Sequence, residues 1–355
     1  MSKRILIDAS NAEETRVAVT ENEKLDDFEI ETSKKSAVKG DVFLAKITRV
    51  EPSLQAAFVD FGKNRNGFLP LTEIHPDYFK IPVVDQEKLS ELLKELKSSE
   101  NDSDKLDSGQ EEVISDEEEV NNNEIKEEKI EESKNVKIKT KTRDHKKNYV
   151  NFFRKYKIQD VIKPRQVILV QVNKEERGFK GAALTTFLSF AGRYCVLMPN
   201  SLTNDGISRK IGDVEERKKL KNILSSVNVP ENMSVIVRTA GIGKTKKEIS
   251  KDLTFLTNQW NKIRELTLKS EAPNLIYEEG SIIKRTIRDL LTDEVDEVII
   301  DGKNGFEIAK KLTKNIAPSK IKIIKIFKGA EKTLFSENNV ETQINELFSL
   351  TVKLE

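Results

Sequence analysis

Residues 51–70, EPSLQAAFVDFGKNRNGFLP, decide the fold. Two β-prone apolar runs flank a turn built from Gly, Lys, Asn and Arg. In the first run Ala57, Val59 and Phe61 alternate onto one face, while Ala56, Phe58 and Asp60 fall on the other. Upstream, VFLAKITRV at 42–50 alternates in the same way, and downstream GFLPL closes a hairpin. Further strands arrive at 166–172 (QVILVQV) and 181–187, which together predict a small antiparallel barrel.

Between those strands, residues 84–159 shift to Glu, Asp, Lys, Ser and Asn, acidic over 87–132 and basic over 134–157. So polar a segment buries too little to offset its ordering entropy, so disorder or weak helicity is expected. Loop-closure entropy grows only logarithmically with length, so one barrel tolerates the excursion. The basic half carries Tyr149, Phe152, Phe153 and Tyr156 among its cations. It reads either as a polyanion-binding arm or as a solvated segment folding back on its acidic half.

The chain has 355 residues, enough for two or three domains with real cores. Lys and Arg total 61 against 60 Asp and Glu, so the net charge of +1 points to no partner class. No apolar run is long enough to span a bilayer, and the first residues are too polar for a signal peptide, so a cytoplasmic chain is expected. One cysteine with His75 and His145 cannot build a tetrahedral Cys/His zinc site, and Cys195 within YCVLM reads as a buried core thiol.

Outside the barrel, RILIDA, TRVAVT and FEIET predict short strands before residue 33. Strands are expected at 194–198 and 234–239. Helices follow at 214–226 and 246–270, the latter with Leu253, Leu256, Trp260 and Ile263 on one stripe. Residues 274–278, a helix at 281–291, the strand EVIID ending at Asp301, a helix at 306–314 and a strand KIKIIKIF at 320–327 complete an α/β alternation. That unit needs the N-terminal strands as its partner, since residues 1–35 alone are too few for a core.

Three constellations carry chemistry. Phe58 and Phe68 on the outer face of the barrel, with Lys63 and Arg65 between them, present what single-stranded RNA needs, stacking surfaces beside phosphate-binding cations. The alternative is that Phe58 is covered by another domain. Arg238-Thr239 ends the strand VIVRT before a glycine-containing turn, where a guanidinium fork and a hydroxyl can hold a phosphate. A terminal phosphomonoester carries more charge and more acceptors than an internal diester, so such a site can read a chain end; an ordinary structural pair is the other reading. Asp8 and Asp301 each end a strand, as two carboxylates holding Mg²⁺ for phosphodiester hydrolysis would, or as turn caps do. The GIGK turn lacks P-loop spacing.

KITRVEPSLQAAFVDFGKNRNGFLPLTEIHPDYF resembles the S1-type RNA-binding domain of the ribonuclease E/G family, and VIVRTAGIGK resembles that family's 5′ sensor. The resemblance implies an α+β multidomain fold in which a split RNase H-like α/β subdomain carries an inserted S1-type OB-fold barrel and a 5′-sensor α+β subdomain. The implied boundaries are 1–36 and 284–347 for the RNase H-like parts, 37–187 for the S1 barrel interrupted at 84–159, and 188–283 for the sensor. Phe58, Phe68 and Lys180 then line the RNA groove. Arg238 and Thr239 hold a 5′-monophosphate with the main chain of Val196, and Gly192 and Arg209 touch the first nucleotides. Lys210 stands where the family often has a second arginine, and it lacks the planar fork.

In the family the hydrolytic carboxylates lie in a DNase I-like domain with IDINS-type and VIDF-type motifs, followed by a CPxC zinc link. Residues 348–355 resemble the start of that domain, and neither an IDINS-type nor a CPxC sequence occurs here. The resemblance thus implies Mg²⁺ and Zn²⁺ only in the longer family protein, along with homotetramers, RNA-decay assemblies and a peripheral association with the inner membrane. The expected function is RNA binding and 5′-monophosphate sensing for an endoribonuclease of RNA processing and mRNA decay acting on single-stranded AU-rich RNA, with this chain alone inactive. The alternatives are a stand-alone S1-type RNA-binding protein and an RNase H-like nuclease using Asp8 and Asp301.

Overall fold

The structure is a computed structural model that describes residues 2–32, 38–79, 85, 87–88, 91–92, 156–178, 180–201, 206–227, 229–230, 233–329 and 332–349. Most of the expected insertion at 84–159, with Tyr149, Phe152 and Phe153, lies outside the described residues.

The chain opens with an antiparallel meander, β1 (Lys3–Asn11), β2 (Glu14–Glu21) and β3 (Lys24–Thr32). The barrel follows as β4 (Val42–Glu51), β5 (Ala56–Asp60), β6 (Gly67–Pro70), β7 (Val167–Lys174) and β8 (Ala183–Thr185). Its strands run β4-β5-β6-β8-β7, and β7 pairs back onto β4, so five strands close. The alternation in residues 54–61 is the cause: Ala57 and Val59 at 0% and Phe61 at 2% exposure fill the interior with Ile47, Leu69, Val170 and Leu184. The short helix α1 (Ile158–Val161) packs Ile158 and Val161 against the same core. The architecture is a mixed α+β fold whose barrel is consistent with an OB-fold.

A second sheet has the order β11-β12-β10-β9, from β9 (Phe190–Ala191), β10 (Cys195–Met198), β11 (Gly206–Ile207) and β12 (Ser234–Val237). The helices α2 (Val214–Ser226) and α3 (Lys246–Lys269) accompany it. The start of α3 is a reciprocal cap, with Glu248 N–H donating to the Thr245 hydroxyl and Thr245 N–H to the Glu248 carboxylate. Leu253, Leu256 and Ile263 of α3 are buried with Cys195, Leu197 and Val237. Val42, Leu44 and Leu169 from the outer face of the barrel join that core, so barrel and second sheet pack directly. The strand β13 (Asn274–Tyr277), expected within the α/β alternation, instead extends the barrel sheet by pairing Asn274 with Leu44 and Leu275 with Phe43.

The remaining elements return to the meander: α4 (Ile282–Asp289), β14 (Val295–Asp301), α5 (Lys303–Ile316), β15 (Ile324–Ile326), α6 (Leu334–Glu337) and α7 (Val340–Leu347). The five-stranded order is β15-β14-β1-β2-β3, with β14 parallel to β1 and β15 parallel to β14. α4 and α5 cover one face, and α6 and α7 cover the other through Phe335, Val340 and Ile344. The strand expected at 320–327 is shorter. Residues Pro318–Ile323 form 3-10 turns that bring the chain from α5 to the sheet edge, and only Ile324–Ile326 meet β14.

Candidate nucleic-acid interface

Phe58 and Phe68 are register partners on β5 and β6, and both are half-buried with their rings 6.1 Å apart in an edge-to-face arrangement. The same pleat that buries Val59 turns them outward. The cation against Phe58 is Arg49, whose guanidinium carbon stands 4.9 Å from the ring centre. Lys63 stands instead over Phe43, 5.9 Å from its ring centre. Arg65 is exposed, and its Nη1 donates to Gly178 O at 2.5 Å, which ties the β5–β6 turn to the turn before Lys180. Lys180 is exposed in that turn, which exchanges main-chain hydrogen bonds with Arg177. The close approach at Gly181, where a Cβ would lie 2.1 Å from Asn66 O, brings this turn against the edge that carries Phe68.

Arg238 follows β12 and is half-buried. Its N–H donates to Tyr194 O at 2.8 Å, and its Nη1 donates to Gly192 O at 2.6 Å and pairs with Asp289 Oδ1 at 2.7 Å. Among the described residues, Nε and Nη2 of Arg238 make no hydrogen bond. A guanidinium edge therefore remains for a phosphate fork. Thr239 is exposed next to it. Val196 lies in the middle of β10, between Ala191 of β9 and Ile236 of β12. Arg209 is exposed in the turn after β11, and Arg217 of α2 fastens that turn by donating to Ser208 O and Ile211 O. Gly192 is buried, and a Cβ there would meet the Asp252 carboxylate at 2.5 Å.

Two acidic residues stand behind Arg238 and the turn at Gly192. Asp252 of α3, 5% exposed, accepts from the N–H groups of Arg193, Tyr194 and Cys195. Burial pushes its carboxyl up, against the pull of those three donors. Asp289 accepts from Arg288 Nη2 at 2.9 Å as well as facing Arg238. Burial works to raise its carboxyl, but the Arg288 and Arg238 guanidinia outweigh it and leave Asp289 below the ordinary range. Arg288 also pairs with Glu279, whose N–H donates to Asp41 of the barrel at 2.9 Å.

Asp8 and Asp301 are register partners across the parallel pair β1 and β14. Asp8 is already engaged: Arg16 Nη2 lies 2.7 Å from its Oδ2, and the Ser10 hydroxyl donates to Oδ1 at 2.6 Å. Asp8 thus has both oxygens engaged by its own neighbours, on the β2 side of β1, away from β14 and Asp301. Among the described residues, no group of three or more His, Cys, Asp or Glu side chains is arranged to hold one.

The family model described as "Ribonuclease E/G family" matches residues 189–355. A protein described as "Putative ribonuclease E" from Buchnera aphidicola subsp. Baizongia pistaciae is 34% identical over 99% of this chain and 69% of its own length. This chain belongs to the ribonuclease E/G family. It is 38% identical to the ribonuclease E of Haemophilus influenzae and 35% identical to that of Escherichia coli, in each case over 99% of this chain. The chain spans 30% and 27% of those two relatives.

For a ribonuclease E/G chain, the residues that sequence reasoning missed are Arg49, Asp252 and Asp289. Arg49 was findable, because it lies opposite Phe58 once β4 and β5 are put in register. Asp289 is 51 positions from Arg238, and no local pattern joins them.

Proposed function

We propose that this chain is the RNA-binding, 5′-monophosphate-sensing portion of a ribonuclease E/G endoribonuclease acting in RNA processing and mRNA decay on single-stranded, AU-rich RNA. The observation that carries the reading is Arg238, held from behind through Nη1 with its Nε and Nη2 edge uncommitted among the described residues. Arg238, Thr239, Arg209 and the main chain near Val196 and Gly192 receive the terminal phosphate and the first nucleotides. Phe58 and Phe68, with Arg49, Arg65, Lys63 and Lys180, take the following strand by stacking and phosphate contact.

In this reading residues 37–187 are the S1 barrel, 188–283 the 5′ sensor, and 1–36 with 284–347 a split RNase H-like subdomain. Its strand order, with three antiparallel strands followed by two parallel ones, supports that assignment. In this reading phosphodiester hydrolysis is a property of the longer family protein rather than of Asp8, which is paired with Arg16. Assembly into homotetramers and RNA-decay complexes, with Mg²⁺ and Zn²⁺ sites, likewise belongs to the longer family protein. Among the described residues no helix is long and apolar enough to cross a membrane.

The test is binding of the purified chain to one short single-stranded RNA carrying either a 5′-monophosphate or a 5′-hydroxyl, at fixed salt with Mg²⁺, followed by inspection of the RNA. Tighter binding of the monophosphate with intact RNA supports the reading. Equal binding leaves only the barrel surface, and cut RNA returns attention to Asp8 and Asp301.

A further inference from the structure

We propose that Asp289 is a positioning residue for end recognition: it holds the inner edge of the Arg238 guanidinium so that the outer edge meets a 5′-phosphate. The inference rests on the phosphate-binding reading of Arg238 given above.

Asp289 is the last residue of α4, where the helix dipole disfavours a carboxylate, so helix stability does not account for it. Its carboxylate is shared by two arginines: Oδ1 lies 2.7 Å from Arg238 Nη1 and accepts from Arg288 Nε at 3.2 Å, and Oδ2 lies 2.9 Å from Arg288 Nη2. Arg288 is in turn anchored by Glu279, and its side chain is only 16% exposed. The carboxylate is therefore fixed from the α4 side and reaches across to a guanidinium carried by β12. Together with Gly192 O it occupies Nη1 of Arg238. What remains is the Nε and Nη2 edge, the geometry of a two-point phosphate grip.

Charge alone argues the opposite role, because a carboxylate beside an anion site repels the anion. The two roles give opposite signs in Asp289→Asn. Asparagine keeps the shape but loses the charge and turns an NH₂ against one of the two guanidinia, which loosens the shared grip. Positioning predicts weaker phosphate recognition, whereas simple repulsion predicts stronger.

The experiment measures the affinity ratio for 5′-monophosphate over 5′-hydroxyl RNA in the wild-type chain, D289N, D289E and R238A, with a thermal melt of each. D289N is expected to lower the ratio about tenfold, the lower end of what losing a supporting partner costs at metal sites, with 5′-hydroxyl affinity unchanged. D289E, which keeps the carboxylate, is expected to recover most of it. A ratio in D289N equal to or above wild type, while R238A abolishes it, overturns the positioning role and leaves the phosphate site standing. Equal loss on both RNAs also overturns it, as general structural damage. No 5′ preference in the wild-type chain, or a preference that survives R238A, removes the phosphate site and the positioning role together.

Discussion

Asp8 and Arg16 face each other as register partners across β1 and β2, with Oδ2 and Nη2 2.7 Å apart. Arg16 also reaches Glu341 on α7 at 3.2 Å and lies over the Phe335 ring. One arginine thus joins the edge of a carboxylate pair to the helices covering the sheet. Burial works to raise the Asp8 carboxyl, but hydrogen bonds from Ser10 and Arg16 outweigh it and hold it below its ordinary value. For a carboxyl depressed in the folded state, the stabilisation is present above the unfolded value of 3.8 and is lost as pH falls through the folded value. Arg16→Ala is expected to cost roughly 2 kcal/mol near neutral pH, less than a fully buried pair would. Urea denaturation should show that deficit shrinking as pH falls below 3.8.

Phe58→Ala is expected to weaken RNA binding by ~1–3 kcal/mol, the range for one stacked base, equally for 5′-monophosphate and 5′-hydroxyl RNA. Replacing Arg49 with Gln should lower the salt dependence of binding by about 0.7 in the log–log slope if Arg49 meets a phosphate. Titrations at several salt concentrations separate the two effects. An unchanged affinity in both variants would mean the outer barrel face is not the RNA surface.

Arg238→Ala is expected to cost ~1.5–3 kcal/mol with 5′-monophosphate RNA, as for hydrogen bonds to charged groups, and almost nothing with 5′-hydroxyl RNA. Arg238→Lys keeps the charge and loses the planar fork, so it should fall between the two. Calorimetry on both RNAs checks the order, and a lysine variant equal to wild type would show that charge alone suffices.

Asp41 is 7% exposed at the junction of the barrel and β13, and burial pushes its carboxyl up to about 6. It faces Lys63, Glu278 and Glu279. Because the folded value is raised, this group destabilises the fold as pH rises from about 4 through 6, and the penalty is constant above that. Its size is on the order of 3 kcal/mol. Denaturation of Asp41→Asn across this range should lack that slope. A slope identical to wild type would place the titration elsewhere.

Much of the fold was legible because it follows from local periodicity. The pleat of residues 54–61 sets which side chains fill the barrel, and the stripe of Leu253, Leu256 and Ile263 sets the buried face of α3. At residues 320–327 the alternation of Lys and Ile predicts one strand, but only Ile324–Ile326 find a partner in β14, and the residues before them turn instead.

By itself the sequence determined the barrel strands, the outward Phe58 and Phe68, and an arginine and threonine just after β12. These depend on backbone geometry over a few residues. Only the tertiary structure decided that β13 joins the barrel, that Asp8 lies beside Asp301 across β1 and β14, and that Asp289 stands behind Arg238. Those relationships are made between segments far apart in the chain. Their partners are set by how sheets and helices pack, and no spacing along the sequence encodes an ion pair across that distance.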